Sequence, residues 1–351
     1  MEKGLKGIIR VLVVDDSPLM CKVLTNILNS DPQIIVAGIA HNGKEAVEFV
    51  PKLKPDIITM DIHMPQMDGF EATKEIMAYN PTPILIVSTS VFKAGMNKVF
   101  KAISFGALDV IDKGQMELCD DKKTGEALLE KIKFLSGIKV IHHPLAKLDK
   151  ERRVSLLEVH KRNASDRIVA IVASTGGPQA LLTILKRFAR DFPCGVVVVQ
   201  HITSGFVEGL ADWLDSECQI RVKIAQDSEE IKSGIVYIAP CDLQMRVEEK
   251  GKIHLTNEPA YDGHRPSGDV LLESVARIYR EDAVGVILTG MGRDGAGGIK
   301  VMKEMCGQTI AQDEHSCVVF GMPKVAIEMG VIDKVLPLGK ISEEVVRILE
   351  R

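Results

Sequence analysis

Residues 168–178 read I-V-A-I-V-A-S-T-G-G-P. The apolar run Ile168 to Val172 predicts a buried strand. The small residues Ala173 to Gly177 predict a sharp turn. Pro178 suits the start of a helix. Leu181, Leu182, Leu185, Phe188 and Ala189 then fall at helical spacing within Gln179 to Arg190. A strand, turn and helix in this order lift the Ser174 hydroxyl out of a sheet edge. They also aim backbone N–H groups and a helix N-terminus at whatever that hydroxyl meets. An ordinary turn in which Ser174 caps the helix fits the same residues, and the stretch alone does not separate the two.

The alternation continues downstream. Strands are predicted at Gly195–Val199, at Ile235–Ala239 before Pro240, at Ala283–Leu288 and at Thr309–Ala311. Helical spacing marks Asp269–Tyr279, Ile299–Met305, Pro323–Met329 and Ser342–Leu349. Met245–Val247 and Ile253–Leu255 predict a hairpin around Glu249-Lys250-Gly251. His201 and Asp294, like Ser174, each follow an apolar strand. A nucleophile, a base and an orienting carboxylate at three strand ends is the geometry of acyl transfer. The glycine-rich loops at 176–177 and 290–295 would let N–H groups approach an oxyanion. The order Ser, His, Asp differs from that of α/β-hydrolases, and V-A-S-T-G lacks the first glycine of G-x-S-x-G. His160, His254, His264 and His315 remain open as alternative bases, and Asp294 could be a turn residue. A phosphate cradle is disfavoured because no G-x-x-x-x-G-K-[ST] occurs.

The first half repeats the pattern. Strands at Ile8–Val14, Ile34–Ala40, Ile57–Met60, Ile84–Val87 and Asp109–Ile111 alternate with helices at Ser17–Asn29, Gly43–Leu53, Phe70–Tyr79 and about Met96–Phe105. Alternation of this kind predicts a parallel sheet covered on both faces. Asp15, Asp16, Asp61, Ser88 and Lys113 all fall at strand ends, which converge on one crevice in a doubly wound sheet. Three carboxylates there repel unless a divalent cation joins them, and an all-oxygen set suits Mg²⁺. A lysine and a hydroxyl nearby would bind phosphoryl oxygens.

Composition bounds the rest. A chain of 351 residues predicts two domains. A net charge of −4 argues against nucleic acid or an anionic membrane as main partner. The seven cysteines are odd in number and form no C-x-x-C pair, which disfavours a disulfide framework or zinc site and fits a reducing cytoplasm. No signal-peptide pattern opens the chain, and no apolar run reaches the roughly 20 residues of a membrane span, so no direct membrane insertion is expected. Residues 126–165 have no strand pattern and are read as a linker, with a last helix of the first domain possible at Ala127–Phe134; His142-His143 has no other ligand-type neighbours and is set aside.

Two resemblances stand on these residues. V-V-D-D-S (13–17), D-I-H-M-P-Q-M-D-G (61–69), V-S (87–88) and D-K (112–113) resemble a response-regulator receiver domain over about 8–125. This implies a flavodoxin-like five-stranded parallel sheet, with Asp61 as phosphoacceptor and Asp15, Asp16 and Asp61 as Mg²⁺ ligands. It also implies Ser88 as switch hydroxyl and Lys113 as phosphate-binding lysine. Gly114 stands where the family usually has proline. A-S-T-G-G-P (173–178), Q-H (200–201), Y-I-A-P (237–240), H-R-P-S (264–267), L-T-G-M-G-R-D-G-A (288–296), A-Q-D-E (311–314) and G-M-P (321–323) resemble the catalytic domain of the CheB methylesterases over 166–351. This implies a doubly wound, mostly parallel α/β domain, Ser174 as nucleophile, His201 as general base, Asp294 as its orienter and the Met291 N–H as oxyanion donor. Val172, Cys241 and Gln244 depart from the family's usual residues. The implied substrates are γ-glutamyl methyl esters, and also glutamines, of methyl-accepting chemoreceptors. The implied phosphodonor is a chemotaxis histidine kinase, and ester hydrolysis would need no cofactor. The alternative is a response regulator whose second domain binds a partner without catalysis.

Overall fold

The computed structural model describes residues 7–89, 93–114, 122–138, 140, 156–157 and 167–350, with the backbone alone for 93–97 and 122–124. The chain divides into two compact units, 1–152 and 153–351. Most of the stretch read as a linker, with His142, His143 and the rival base His160, lies outside the described residues.

The first unit is a five-stranded sheet. Its strands are β1 (Ile9–Val14), β2 (Ile34–Ala40), β3 (Ile57–Met60), β4 (Ile84–Ser88) and β5 (Asp109–Asp112). The order is β2-β1-β3-β4-β5 and every pairing is parallel. Helices α1 (Pro18–Asn29), α2 (Gly43–Leu53), α3 (Gly69–Tyr79), α4 (Lys93–Ser104) and α5 (Lys122–Leu135) accompany the strands. Three helix starts are fixed by the side chain before them. Ser17 Oγ accepts from Met20 N–H, Asn42 Oδ1 from Glu45 N–H and Asp68 Oδ1 from Glu71 N–H. α5 buries Leu128, Ile132 and Leu135 and pairs Lys131 with Asp109 and Lys133 with Asp31. It continues past residue 125, as part of the first unit's packed body.

The second unit centres on a seven-stranded sheet. Its strands are β6 (Ile168–Ala173), β7 (Gly195–Gln200), β8 (Arg221–Ile224), β9 (Ile235–Ile238), β12 (Ala283–Ile287), β13 (Gln308–Gln312) and β14 (Lys334–Leu336). The order is β14-β13-β12-β6-β7-β9-β8, again wholly parallel. The helices are α6 (Gly177–Leu185), α7 (Val207–Glu217), α8 (Gly268–Tyr279), α9 (Ala296–Glu304), α10 (Met322–Glu328) and α11 (Leu338–Leu349). β10 (Gln244–Glu248) and β11 (Lys252–Thr256) form the expected antiparallel hairpin. Its Met245, Val247 and Ile253 pack with Leu271, Leu272 and Val275 of α8 in the main core.

The central strands β6 and β7 are buried at every residue, which is why they read as unbroken apolar runs. α6 stops at Leu185 rather than Arg190. Phe188 instead bridges Leu157, whose N–H bonds the Arg187 carbonyl. Apolar spacing persisted beyond Leu185 because Phe188 is still buried, although no longer helical. The chain runs outward from β6 through β7 to β8 and β9, then returns to the other side of β6 at β12. The switch point thus lies between β6 and β12, where a doubly wound sheet opens its crevice. In the first unit it lies between β1 and β3.

Close approach at the first crevice leaves a testable constraint. A Cβ on Gly69 would sit 1.9 Å from the Asp61 carbonyl oxygen. Gly69→Ala should destabilise the first unit by about 1–3 kcal/mol, read as a lowered urea midpoint of its transition. An unchanged midpoint would contradict this packing.

Candidate active site

In the second unit the register sets the site. Ala173 pairs with Gln200 and Val172 with Ile287, so Ser174 and His201 leave adjacent strands at the same level. Ser174 N–H donates to the Thr289 carbonyl (3.0 Å), tying the first turn to the loop after β12. The residue before α6, Gly176, is in left-handed backbone (φ 78°), and the helix has no side-chain cap. The Ser174 hydroxyl is therefore not consumed in capping, and the plain capping reading of this turn fails. A Cβ on Gly290 would lie 2.7 Å from Ser174 Cβ, so the glycine lets the loop close over the serine.

Gln200 is a residue whose role the sequence did not disclose. It is buried, and its side-chain NH₂ donates to the carbonyls of both Ser174 (2.8 Å) and His201 (2.9 Å). It thereby staples the two turns together.

Asp294 is buried and accepts from four donors. His201 Nε2 lies 2.8 Å from Oδ2, Gly268 N–H 2.6 Å from Oδ2, Ser267 Oγ 2.7 Å from Oδ1 and Asp269 N–H 3.1 Å from Oδ1. Burial alone would raise its pKa, but the bond and the charge of His201, with the bonds from Gly268 and Ser267, overcome this and hold it at about 2. An ionised carboxylate has no proton to give. The bond from His201 is therefore Nε2–H to Asp294, and the neutral ring carries its lone pair on Nδ1. Among the described residues that buried Nδ1 has no hydrogen-bond partner. The structure thus joins His201 to Asp294 and leaves Ser174 level with His201 but not hydrogen-bonded to it. The Met291 amide, in the loop after β12, donates to no main-chain acceptor among the described residues.

The rival histidines separate. The His264 ring stacks on His201, with centroids 4.2 Å apart and planes 5° apart. Burial and the neighbouring His201 lower its pKa, which keeps it neutral in the stack. His254 stands on the hairpin beside Asp227 (3.3 Å), and His315 is exposed. Of the three departures, Gln244 is fully buried. Its Oε1 accepts from Ser267 N–H (2.9 Å) and its NH₂ donates to the carbonyls of His264 (3.1 Å) and Pro259 (3.2 Å). It fixes the segment that brings His264 and Ser267 to the site. Val172 packs on Gly268. The Cys241 thiol is pushed up to about 12 by burial and by Asp242, which leaves it unreactive.

In the first unit Asp15, Asp16 and Asp61 each bring a carboxylate oxygen within 4.8 Å of the others, at the ends of β1 and β3. Lys113 Nζ lies 2.7 Å from Asp15 Oδ2 and 3.0 Å from Asp61 Oδ2. Burial pulls the Lys113 pKa down, but the Asp61 and Asp15 charges raise it overall. Burial conversely raises that of Asp15 against the pull of Lys113. The Ser88 hydroxyl is buried and has no partner among the described residues. An orphaned hydroxyl, three carboxylates and one ammonium suit a hard divalent cation and a phosphoryl group. The Lys113–Gly114 bond is trans, and Lys113 reaches the acidic cluster without the family's proline.

The ionisation of Asp294 has a consequence for acid stability. Its folded pKa of about 2 lies below the roughly 3.9 of an unfolded aspartate, so its contribution is complete above about pH 4 and is lost as pH falls through about 2. Asp294→Asn should be less stable than the parent at pH 7, with the gap narrowing below about pH 4 in denaturation series. A gap independent of pH would contradict an ionised native Asp294.

Comparison with known proteins agrees with this division. Residues 169–345 match the CheB methylesterase family and residues 11–120 the response regulator receiver domain family. A Pyrococcus abyssi protein named protein-glutamate methylesterase/protein-glutamine glutaminase is 42% identical, over 97% of this chain and 94% of its own. A Nitrosospira multiformis protein of the same name is 44% identical, over 95% of each chain. The crystal structure of the Thermotoga maritima CheB methylesterase catalytic domain aligns with a TM-score of 0.51 and 44% identity, covering 52% of this chain and 98% of that one. With a receiver-type unit first and an esterase-type unit second, matched over nearly its whole length, the chain belongs to the CheB methylesterase family.

Proposed function

We propose that the chain is a phosphorylation-activated protein-glutamate methylesterase acting on methyl-accepting chemoreceptors, with Ser174, His201 and Asp294 as its catalytic residues. The observation that carries this reading is the His201 ring. An ionised Asp294 holds Nε2–H, leaving the Nδ1 lone pair at the strand end level with Ser174. In this reading Ser174 Oγ attacks the ester carbonyl and gives its proton to Nδ1. The oxyanion is met by the Met291 N–H. His201 returns the proton to the departing methoxide, releasing methanol. Water then attacks the acyl-serine with His201 again as base, freeing the glutamate carboxylate and Ser174. The same steps on a receptor glutamine would release ammonia, in keeping with the second half of the relatives' name.

The first unit would be the receiver, with Asp61 accepting phosphate from a chemotaxis histidine kinase. Asp15, Asp16 and Asp61 would hold Mg²⁺, which when bound offsets phosphoryl charge. Lys113 and Ser88 would take up the phosphoryl oxygens. The catalytic domain would span 166–351, joined to the receiver by the stretch before it.

Ser174→Ala should fold normally and lose roughly 10³-fold or more in turnover, measured as methanol release from a peptide bearing a glutamate γ-methyl ester. Release at the parent rate would show that another residue is the nucleophile, and no release from the parent itself would show a partner-binding module. Acetyl phosphate with Mg²⁺ should label the parent and raise its esterase rate, and Asp61→Asn should abolish both effects. Label surviving in that variant would move the phosphoacceptor elsewhere.

A further inference from the structure

Asp294 does not rest on its own loop. Its carboxylate takes N–H groups from the first turn of α8, those of Gly268 and Asp269, together with the hydroxyl of Ser267, the residue before that helix. Asp294 therefore acts as a cap for α8, supplied from another part of the chain. Asp269 does the converse. Its Oδ1 accepts from Gly298 N–H at 2.7 Å, in the first turn of α9, and the amides of Gly297 and Gly295 also favour its charge. α9 is the helix that begins two residues after Asp294, and the residue just before it, Gly295, offers no side-chain cap.

We propose that Asp269 is a positioning residue for catalysis: Asp269 and Asp294 cap each other's helices, and this exchange holds the Asp294 carboxylate against His201. The proposal rests on the triad reading above. Two packing facts support it. A Cβ on Gly298 would come within 2.7 Å of the Asp269 carbonyl oxygen, and one on Gly297 within 3.2 Å of Asp269 Oδ1. The two helix starts thus approach too closely for side chains on their facing turns. The exchange also opposes electrostatics. Burial raises the Asp269 pKa, and the neighbouring Asp294 raises it further. Two half-buried to buried carboxylates this near one another persist because each is bound by donors of the other's helix. A free capping aspartate would face water. Losing Asp269 would release the start of α9, and Asp294 two residues before it, so the imidazole would lose its fixed orientation while the substrate surface stayed intact.

The test uses the full chain, acetyl phosphate with Mg²⁺, and methanol release from a γ-methyl-ester peptide. Asp269→Ala should lower kcat by on the order of 10-fold to 100-fold with KM within about twofold. Asp269→Asn, which keeps an oxygen for the Gly298 N–H, should recover most of that loss. In an Asp294→Asn background, Asp269→Ala should change kcat by less than about twofold, because the residue through which it acts is already disabled. Should Asp269→Ala not fold, Asp269→Leu, which keeps the bulk but offers no acceptor, carries the same cycle. Parent-like kcat in the single variant, or losses that multiply in the double variant, would overturn the proposal. Parent-like activity in Ser174→Ala would instead overturn the triad reading beneath it.

Discussion

A buried carboxylate that must stay ionised organises the second unit. Asp294 is surrounded by the ends of three segments: the loop after β7 with His201, the start of α8 with Ser267 and Gly268, and its own loop before α9. In an apolar interior a lone carboxylate would take up a proton. Here four donors and a helix N-terminus make the charged form the stable one. That charge in turn selects the His201 tautomer and leaves the ring's lone pair on Nδ1. The Ser174 turn is tied in separately, through Gln200 to His201 and through Thr289 to the loop after β12.

Both units use the same topological device for different chemistry. Each is a parallel sheet whose chain reverses direction of travel beside its first strand, and each places its polar residues at the carboxyl ends flanking that point. In the first unit the ends carry carboxylates and a lysine, a set whose chemistry suits a cation and phosphoryl charge. In the second they carry a hydroxyl, an imidazole and one carboxylate, a set whose chemistry suits the movement of a proton. The sheet supplies convergence and the residue types decide its use.

Much of this was legible in the sequence. β2, β3, α1 and α2 fall on the residues that spacing and capping signals marked, because apolar strand runs and single-faced helices write strong patterns, even where, as in the edge strand β2, only the two end residues are buried. Ser174, His201 and Asp294 were visible as polar residues following apolar strands. What was not legible was non-local. α7 and β8 went unmarked: α7 has no side-chain cap, and β8 is a short strand at the sheet edge with Arg221 exposed. β14, an edge strand of three residues with two exposed, left too little pattern to detect. The helix predicted to Arg190 ended early because a buried Phe188 keeps the apolar spacing while bridging another segment. Gln200, Gln244 and Ser267 each make a bond to a residue 20 or more positions away, for which local spacing holds no signal. Among the histidines, only three-dimensional contact distinguishes His201, on Asp294, from His264, stacked against it.

The central claim is that Ser174 carries the acyl group. The most direct measurement is acid quenching within the first turnover on a γ-methyl-ester peptide, followed by mass mapping of the protein. The account predicts the peptide's acyl mass on the fragment containing Ser174, appearing with the first methanol and absent when Asp294 is asparagine. Methanol released in that first turnover with the adduct on another residue, or with Ser174 unmodified throughout, would contradict it.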